Sequence, residues 1–475
     1  MGFARYFNMN IRRCAIVLLS IAITSFASIP IAAAQNLTDQ SVENAAKPLI
    51  ENHVVDGLSI AYIEGGRPGI VHLGRANQSG QKPNDQTVYE LGSISKLFTS
   101  LLLADATLRG EVNIYTAANV PNTARIRLPS RDSRSIKWID LSTHRSGLPR
   151  LPDNLSPADP SNPYRDYDSK KAAEFLNSYK LPRAPGKTQE YSNLGVSVLG
   201  YLLAQKIGKP YQQLLRERVA TPLKMTDCTV TLTADQSRRL ATPHARFGSP
   251  TSPWTFADMP GAGEVHATIR DMMIFAKAQL NPPDTGIGEA IDLAWKQHTE
   301  ADASGPAMGL GWMIAGDGQT RWHNGQTGGF TSAIFVNRKY KCAVVVLCNT
   351  AVTGKIEELA TQLLQQAAGA QAKAAPADTP DRDPNGLPID AKLRGRLAGR
   401  YQLAPNFIFT VTDRNGHLMV AITNQPTQEV FPDSPTQWSY RGVKATLEFK
   451  LPKTGPATSL ILHQNGIEQT ARRMD

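Results

Sequence analysis

Ser93-Ile94-Ser95-Lys96-Leu97-Phe98 marks the point where a polar segment gives way to a long apolar pattern. Leu97, Phe98, Leu101, Leu102 and Leu108 recur at helical spacing, and Gly110, just past Arg109, supplies a stop signal. The spacing predicts a helix buried on several sides, with Ser93 at its N-terminal end. Lys96 then lies one turn on, on the same face, close enough to exchange a proton with the Ser93 hydroxyl. A hydroxyl alone is a weak nucleophile, and an amine at that spacing is a candidate activator.

Taken alone the S-x-x-K pattern carries little weight, because a chain this rich in serine and lysine contains on the order of one match by chance. A second match, Ser79-Gly80-Gln81-Lys82, lies in a Gly/Gln/Asn-rich stretch closing on Pro83 and reads as a surface turn. For Ser93 the competing reading is a helix N-cap with a solvated lysine behind it. Other parts of the chain have to decide.

Arg5, Arg12 and Arg13 precede an apolar run from Cys14 to about Ala34 that closes in Ala32-Ala33-Ala34 before Gln35. This reads as an export signal, residues 1–34, cut after Ala34, and the competing reading is a retained membrane anchor. The expectation is a periplasmic or secreted protein with no stable membrane span. Removal of those three arginines and no acid lowers the formal charge from +10 to +7. No Lys/Arg block with interleaved aromatics occurs, which argues against nucleic-acid binding.

Past the signal, Cys228, Cys342 and Cys348 remain, an odd number that excludes a fully paired disulfide framework. Cys342 and Cys348 share one expected strand and stand roughly 20 Å apart at about 3.3 Å per residue, so they cannot bond to each other. No cysteine or histidine cluster has metal-ligand spacing and no glycine-rich phosphate loop follows a strand, so no metal or cofactor is expected.

Residues 369–392, rich in Ala, Pro and Asp with almost no large apolar side chain, read as a linker. They separate a unit over 35–368 from one over 393–475. In the first, a helix over Asp39 to His53 precedes strands over Leu58 to Glu64 and Gly69 to Arg75. Helices follow Ser93, Asp168, Asn193, Pro210 and Thr268. Strands return over Gly309 to Ala315, Thr320 to His323, Thr331 to Asn337 and Cys342 to Cys348, and a last helix starts near Thr353. Strands at both ends with helices between give an α/β (α+β) fold, one antiparallel sheet flanked by helices beside a helical region. The second unit alternates at period two, with a hairpin around Asp413-Arg414-Asn415-Gly416, and reads as a small all-β barrel or sandwich.

Two further stretches carry chemistry. Tyr191-Ser192-Asn193 stands at the entrance of the apolar helix Leu194 to Ile207. A phenol near an ammonium can shuttle protons, and Asn193 offers a donor and an acceptor to a substrate amide or serves as an N-cap. His323-Asn324-Gly325-Gln326-Thr327-Gly328-Gly329 ends a strand in glycines that permit close backbone approach. Arg321 and His323 share a face by the two-residue period, a cationic or hydrogen-bonding flank, and Arg321 is a candidate reader of a substrate carboxylate. The competing readings are a partly buried tyrosine and a glycine-rich hairpin with an incidental histidine.

Ser93-x-x-Lys96, Tyr191-x-Asn193 and His323-x-Gly325, in this order and with Leu141-Ser142-Thr143-His144-Arg145-Ser146-Gly147-Leu148-Pro149 between the first two, resemble the serine β-lactamase-related superfamily. The nearest group is the class C β-lactamases, the DD-carboxypeptidases/endopeptidases and the related esterases and D-aminopeptidases. The resemblance spans roughly Asp39 to Ala368, and the tail from about Arg394 resembles a lipocalin-like domain.

The resemblance implies Ser93 as acylated nucleophile, Lys96 as its proton partner, and Tyr191 as base or acid. Asn193, His323, Asn324, Gly325 and Gln326 would bind substrate, and the backbone N–H groups of Ser93 and Gln326 would form an oxyanion hole. Which of Lys96 and Tyr191 is the base stays open, and His144 is read as structural. The expected substrates are small molecules or peptides: β-lactams, D-Ala-D-Ala-type peptides or esters, with peptidoglycan as a partner. Class C β-lactamases usually show Lys-Thr-Gly where this chain has His323-Asn324-Gly325, and histidine brings positive charge only when protonated. The literal Lys453-Thr454-Gly455 sits in an expected turn of the tail and reads as coincidence. An esterase or D-aminopeptidase, or an inactive wall-binding scaffold, stand as alternatives.

Overall fold

The computed structural model describes residues 37–118, 125–245, 248–369, 390–404, 407–414, 417–423, 427–440, 445–464 and 467–474. The run Cys342–Cys348 is apolar at nearly every position, and the sheet it joins explains why. Ala343, Val345 and Leu347 face the core shared with the helical region, while Val344 and Val346 face a second core under two terminal helices. A strand covered on both faces has no solvent side, so alternation disappears from its sequence.

That strand is third in a six-stranded antiparallel sheet. The order is Arg67–Gly74, Gly57–Glu64, Cys342–Cys348, Thr331–Asn337, Thr320–Gln326 and Met313–Ile314. Strands from both ends of the first unit thus meet in one sheet, as the sequence predicts. Asp39–Glu51 and Lys355–Ala367 cover one face through Val42, Ala46, Ile356, Leu359 and Leu363. On the other face lies the helical region, centred on Ser95–Leu108, in which every residue from Ser95 to Ala106 is buried. A helix buried on all sides belongs inside a large core, and its neighbours Asn193–Ile207 and Gly286–Trp295 complete the cover. Leu108, expected on the apolar pattern, is exposed at the helix end.

The tail is a closed barrel of eight strands running from Gly399–Ala404 to Ile467–Arg473. Closure comes from the pairing Tyr401↔Arg473 and Gln402↔Arg472, which leaves no free sheet edge. Its core, with Tyr401, Phe409, Val420, Trp438, Leu447, Phe449 and Leu460, is separate from the other two.

Three expectations change in detail. The strand expected over Gly309 to Ala315 shrinks to Met313–Ile314, because Gly311 takes a left-handed φ of +73° and its N–H turns to the Ser142 carbonyl. Ser192, rather than Asn193, caps the helix Asn193–Ile207, its hydroxyl accepting the Gly195 N–H at 2.8 Å. A short helix, Ala391–Leu397, begins inside the expected linker, the rest of which falls outside the described residues except Gly369 and Asp390. The signal stretch 1–34 also lies outside them. Among the described residues no helix is long and apolar enough to cross a membrane, and no cluster of His, Cys, Asp or Glu is placed to hold a metal ion.

Candidate active site

The turn carrying Ser93 is fixed from three directions. The Leu91 N–H donates to the Val265 carbonyl at 2.9 Å, the Val265 N–H donates to Ser95 Oγ at 2.9 Å, and Ser332 Oγ donates to the Leu91 carbonyl at 2.8 Å. Two glycines then let the strand Thr320–Gln326 press against it. A Cβ on Gly92, at φ +50°, would stand 2.7 Å from the Gln326 nitrogen, and one on Gly325 would stand 2.1 Å from the Leu91 carbonyl oxygen. The main chains of Ser93 and Gln326 therefore lie side by side.

Of residues 87–106, Ser93 alone is not buried. Lys96, 1% exposed, reaches it with Nζ 2.9 Å from Ser93 Oγ and donates to the Ala262 carbonyl at 2.8 Å. Burial, reinforced by the nearby Arg150 charge, holds the Lys96 pKa well below the usual lysine range. Tyr191 completes the group: its hydroxyl comes near enough to the Ser93 side chain to be influenced by it, and its ring centroid is 5.0 Å from Lys96 Nζ. Burial pushes the phenol up to about 12, against the opposing effects of the Ser93 side chain and Arg150. The cluster thus pairs an amine that readily gives up its proton with a phenol that keeps one.

Two imidazoles pack around Tyr191. His144 packs against it at a tilt of 39° with ring centroids 4.4 Å apart, and its Nδ1 accepts the Ser192 N–H at 3.2 Å. The proton therefore sits on Nε2, which is buried without a partner. His323 lies 6.3 Å from the Tyr191 ring, with Nδ1 bonded to the Asn324 carbonyl and Nε2 buried and unpaired. Burial, then the Lys96 charge, pushes the His323 pKa down to about 3, and burial also holds His144 well below the usual range. Both rings are neutral at ordinary pH, so His323 brings no charge to the strand.

Not every expected residue joins the cluster. Arg321 is buried, its guanidinium committed to the carbonyls of Trp295 and Gly318 at 3.2 and 2.9 Å. Asn324 turns to the opposite face of the sheet, where its amide donates to Glu357 at 2.6 Å. Asn193 stays near, donating to the Tyr164 hydroxyl at 3.3 Å with its Oδ1 buried and unpartnered. Gln326 is exposed. Ser79 lies exposed in a turn, bonded to Asn77, and Gly455 of Lys453-Thr454-Gly455 takes φ +87° in an exposed loop of the barrel.

A wall of aromatic rings borders the Asn193 side. Tyr164 stacks on Phe256 at 4.6 Å and meets Trp254 edge-on at 5.2 Å. The segment bearing these rings is clamped by two carboxyl groups, Glu90 accepting the Trp254 N–H at 2.7 Å and Glu264 the Phe256 N–H at 2.9 Å. Burial pushes Glu90 up to about 7 and Glu264 up to about 8. Sequence reasoning passed over these two acids, and gave His144 no part beside Tyr191. The only signal for His144 was its place before Arg145-Ser146-Gly147, where it adopts a left-handed φ of +58°.

A model of the beta-lactamase family matches residues 42–369. The D-alanyl-D-alanine-carboxypeptidase/endopeptidase AmpH of Escherichia coli K12 is 27% identical over 343 residues, which cover 68% of this chain and 88% of the relative. A beta-lactamase of the same organism is 28% identical over 290 residues, 60% of this chain and 72% of the relative. The crystal structure of a beta-lactamase/D-alanine carboxypeptidase from Pseudomonas syringae superposes with a TM-score of 0.60 at 20% identity, covering 69% of this chain and 98% of the other. The mixed sheet-and-helix architecture is thus shared with a solved member, and the chain belongs to the beta-lactamase family.

Proposed function

We propose that the protein is a serine hydrolase that works through an acyl-enzyme on Ser93, with D-Ala-D-Ala-type peptides or β-lactams as substrates. The observation that carries this reading is the partly exposed Ser93 hydroxyl 2.9 Å from a buried Lys96 amine whose pKa burial holds well below the usual lysine range. In this reading Ser93 Oγ attacks the substrate carbonyl carbon while its proton passes to Lys96. The N–H groups of Ser93 and Gln326 hold the developing oxyanion. The scissile C–N bond then breaks, and the leaving nitrogen takes the Tyr191 proton, which Lys96 replaces. Water attacks the ester, its proton again going to Lys96, and Ser93 is restored. The opposite pKa shifts support Lys96 as base and Tyr191 as acid.

One observation favours the esterase or D-aminopeptidase reading. The neutral His323 leaves the strand without the positive charge that a β-lactam carboxylate would meet. Wild type and Ser93→Ala should be compared on a D-Ala-D-Ala peptide, a chromogenic cephalosporin, a D-amino-acid amide and a nitrophenyl ester. Turnover of the peptide or the cephalosporin, abolished in Ser93→Ala, supports the first reading. Turnover confined to the ester or the D-amino-acid amide supports the second. Binding to wall fragments with no turnover at all would point to a scaffold. Residues 1–34 complete the proposal as an export signal, which an N-terminal sequence of the secreted protein beginning at Gln35 would bear out.

A further inference from the structure

Arg150 stands beside this cluster with a positive charge that no acidic side chain among the described residues pairs with. Its main chain is locked in place: the Pro149 carbonyl accepts Ser192 Oγ at 2.6 Å, and the Arg150 carbonyl accepts the N–H groups of Asn193 and Leu194 at 3.1 and 3.4 Å. The guanidinium lies over the Tyr191 ring, its carbon 5.1 Å from the centroid, and is exposed to solvent. Among the described residues no carboxylate or carbonyl engages it. Arg145, Arg183 and Arg321, by contrast, are each held by an acidic side chain or a carbonyl.

The surrounding groups make this charge the lasting one. His144 and His323 are neutral, and burial favours the uncharged form of Lys96. On the same side as Arg150 lies Asn193, whose buried Oδ1 lacks a donor. A buried acceptor without a partner marks the place of a missing N–H, and the amide of an acyl chain lying along the helix entrance supplies one. A guanidinium lying over the Tyr191 ring next to that position is placed to take a carboxylate on the same chain.

Resting on the reading of Ser93 as the acylated residue, we propose that Arg150 is a specificity-determining residue that selects substrates bearing a carboxylate on the acyl portion. The role expected of Arg321 thereby passes to a residue whose guanidinium is open.

Matched thioesters or esters with a common leaving group, one carrying a carboxylate on the acyl side chain and one the isosteric carboxamide, test this. Wild type should prefer the carboxylate, and added salt should shrink the preference, since the pair is solvent-accessible. In Arg150→Ala the carboxylate/carboxamide ratio of kcat/KM should fall by about 10- to 100-fold, chiefly through KM, with partial recovery in Arg150→Lys. Equal losses on both substrates would show that Arg150 only tunes Lys96 and Tyr191, and would overturn the proposal, as would a wild type without preference. Failure of the underlying reading shows differently: Ser93→Ala would then still turn over both substrates.

Discussion

Among the described residues two serine hydroxyls are hydrogen-bonded to a side-chain nitrogen base, and they have opposite prospects. Ser59 Oγ lies 2.8 Å from His72 Nδ1, whose Nε2 lies 3.0 Å from Asp85, a Ser–His–Asp chain across the strands Gly57–Glu64 and Arg67–Gly74. Ser59 is nevertheless 0% exposed, and its hydroxyl also bonds Tyr89 at 2.9 Å inside the core. No electrophile can reach it. Ser93 lacks the familiar imidazole but opens to solvent, with glycines pressing a second strand against its backbone. A relay of bases only ties a sheet together unless the hydroxyl is accessible and donors are placed for an oxyanion.

The sharpest way to break this contrast is to delete each hydroxyl. Ser93→Ala should lower kcat by on the order of ten-thousand-fold or more, as removal of a nucleophile does in serine hydrolases. Lys96→Arg keeps a charge but cannot release it, so acylation should fall by about a hundred- to ten-thousand-fold, read as the rate of label incorporation. Tyr191→Phe should cost about a hundredfold on amides and far less on activated esters, whose leaving groups need no proton. A uniform loss across both substrate types would remove Tyr191 from the acid role.

Smaller effects concern the scaffold. Glu90 and Glu264 have folded pKa values raised from the usual 4.5 to about 7 and about 8, so the unfolded chain releases their protons first. Their contribution to stability is complete below about pH 4.5 and is lost as pH rises through 7 to 8. Glu264→Gln can still accept the Phe256 N–H and should flatten the fall in melting temperature across that window. An unchanged pH profile would contradict the assignment. Last, Ser59→Ala should leave turnover intact while costing about 1–3 kcal/mol of stability, because the Tyr89 hydroxyl loses its buried partner.

How far the sequence speaks depends on the range of the interaction. The Ser93/Lys96 pair was legible because three residues of helix fix both ends, and Cys342–Cys348 because its apolar run needs two covered faces. The fate of Arg321 was not. Period two placed it on the face of His323, but no local rule foretold that the Trp295 and Gly318 carbonyls would take its guanidinium. Arg150, His144 and the Glu90 half of the clamp depend on contacts between segments about 40 to 160 residues apart, where spacing carries no signal. The barrel shows the converse. Its alternating strands announced it, and Glu429 is its sole buried charged or polar residue among those described.

The most direct test of the account is the intact mass of the protein after incubation with penicillin, followed by mapping of the modified peptide. One added acyl group is expected, located on Ser93 and absent from Ser93→Ala. An adduct on another residue, or one retained in Ser93→Ala, would contradict it.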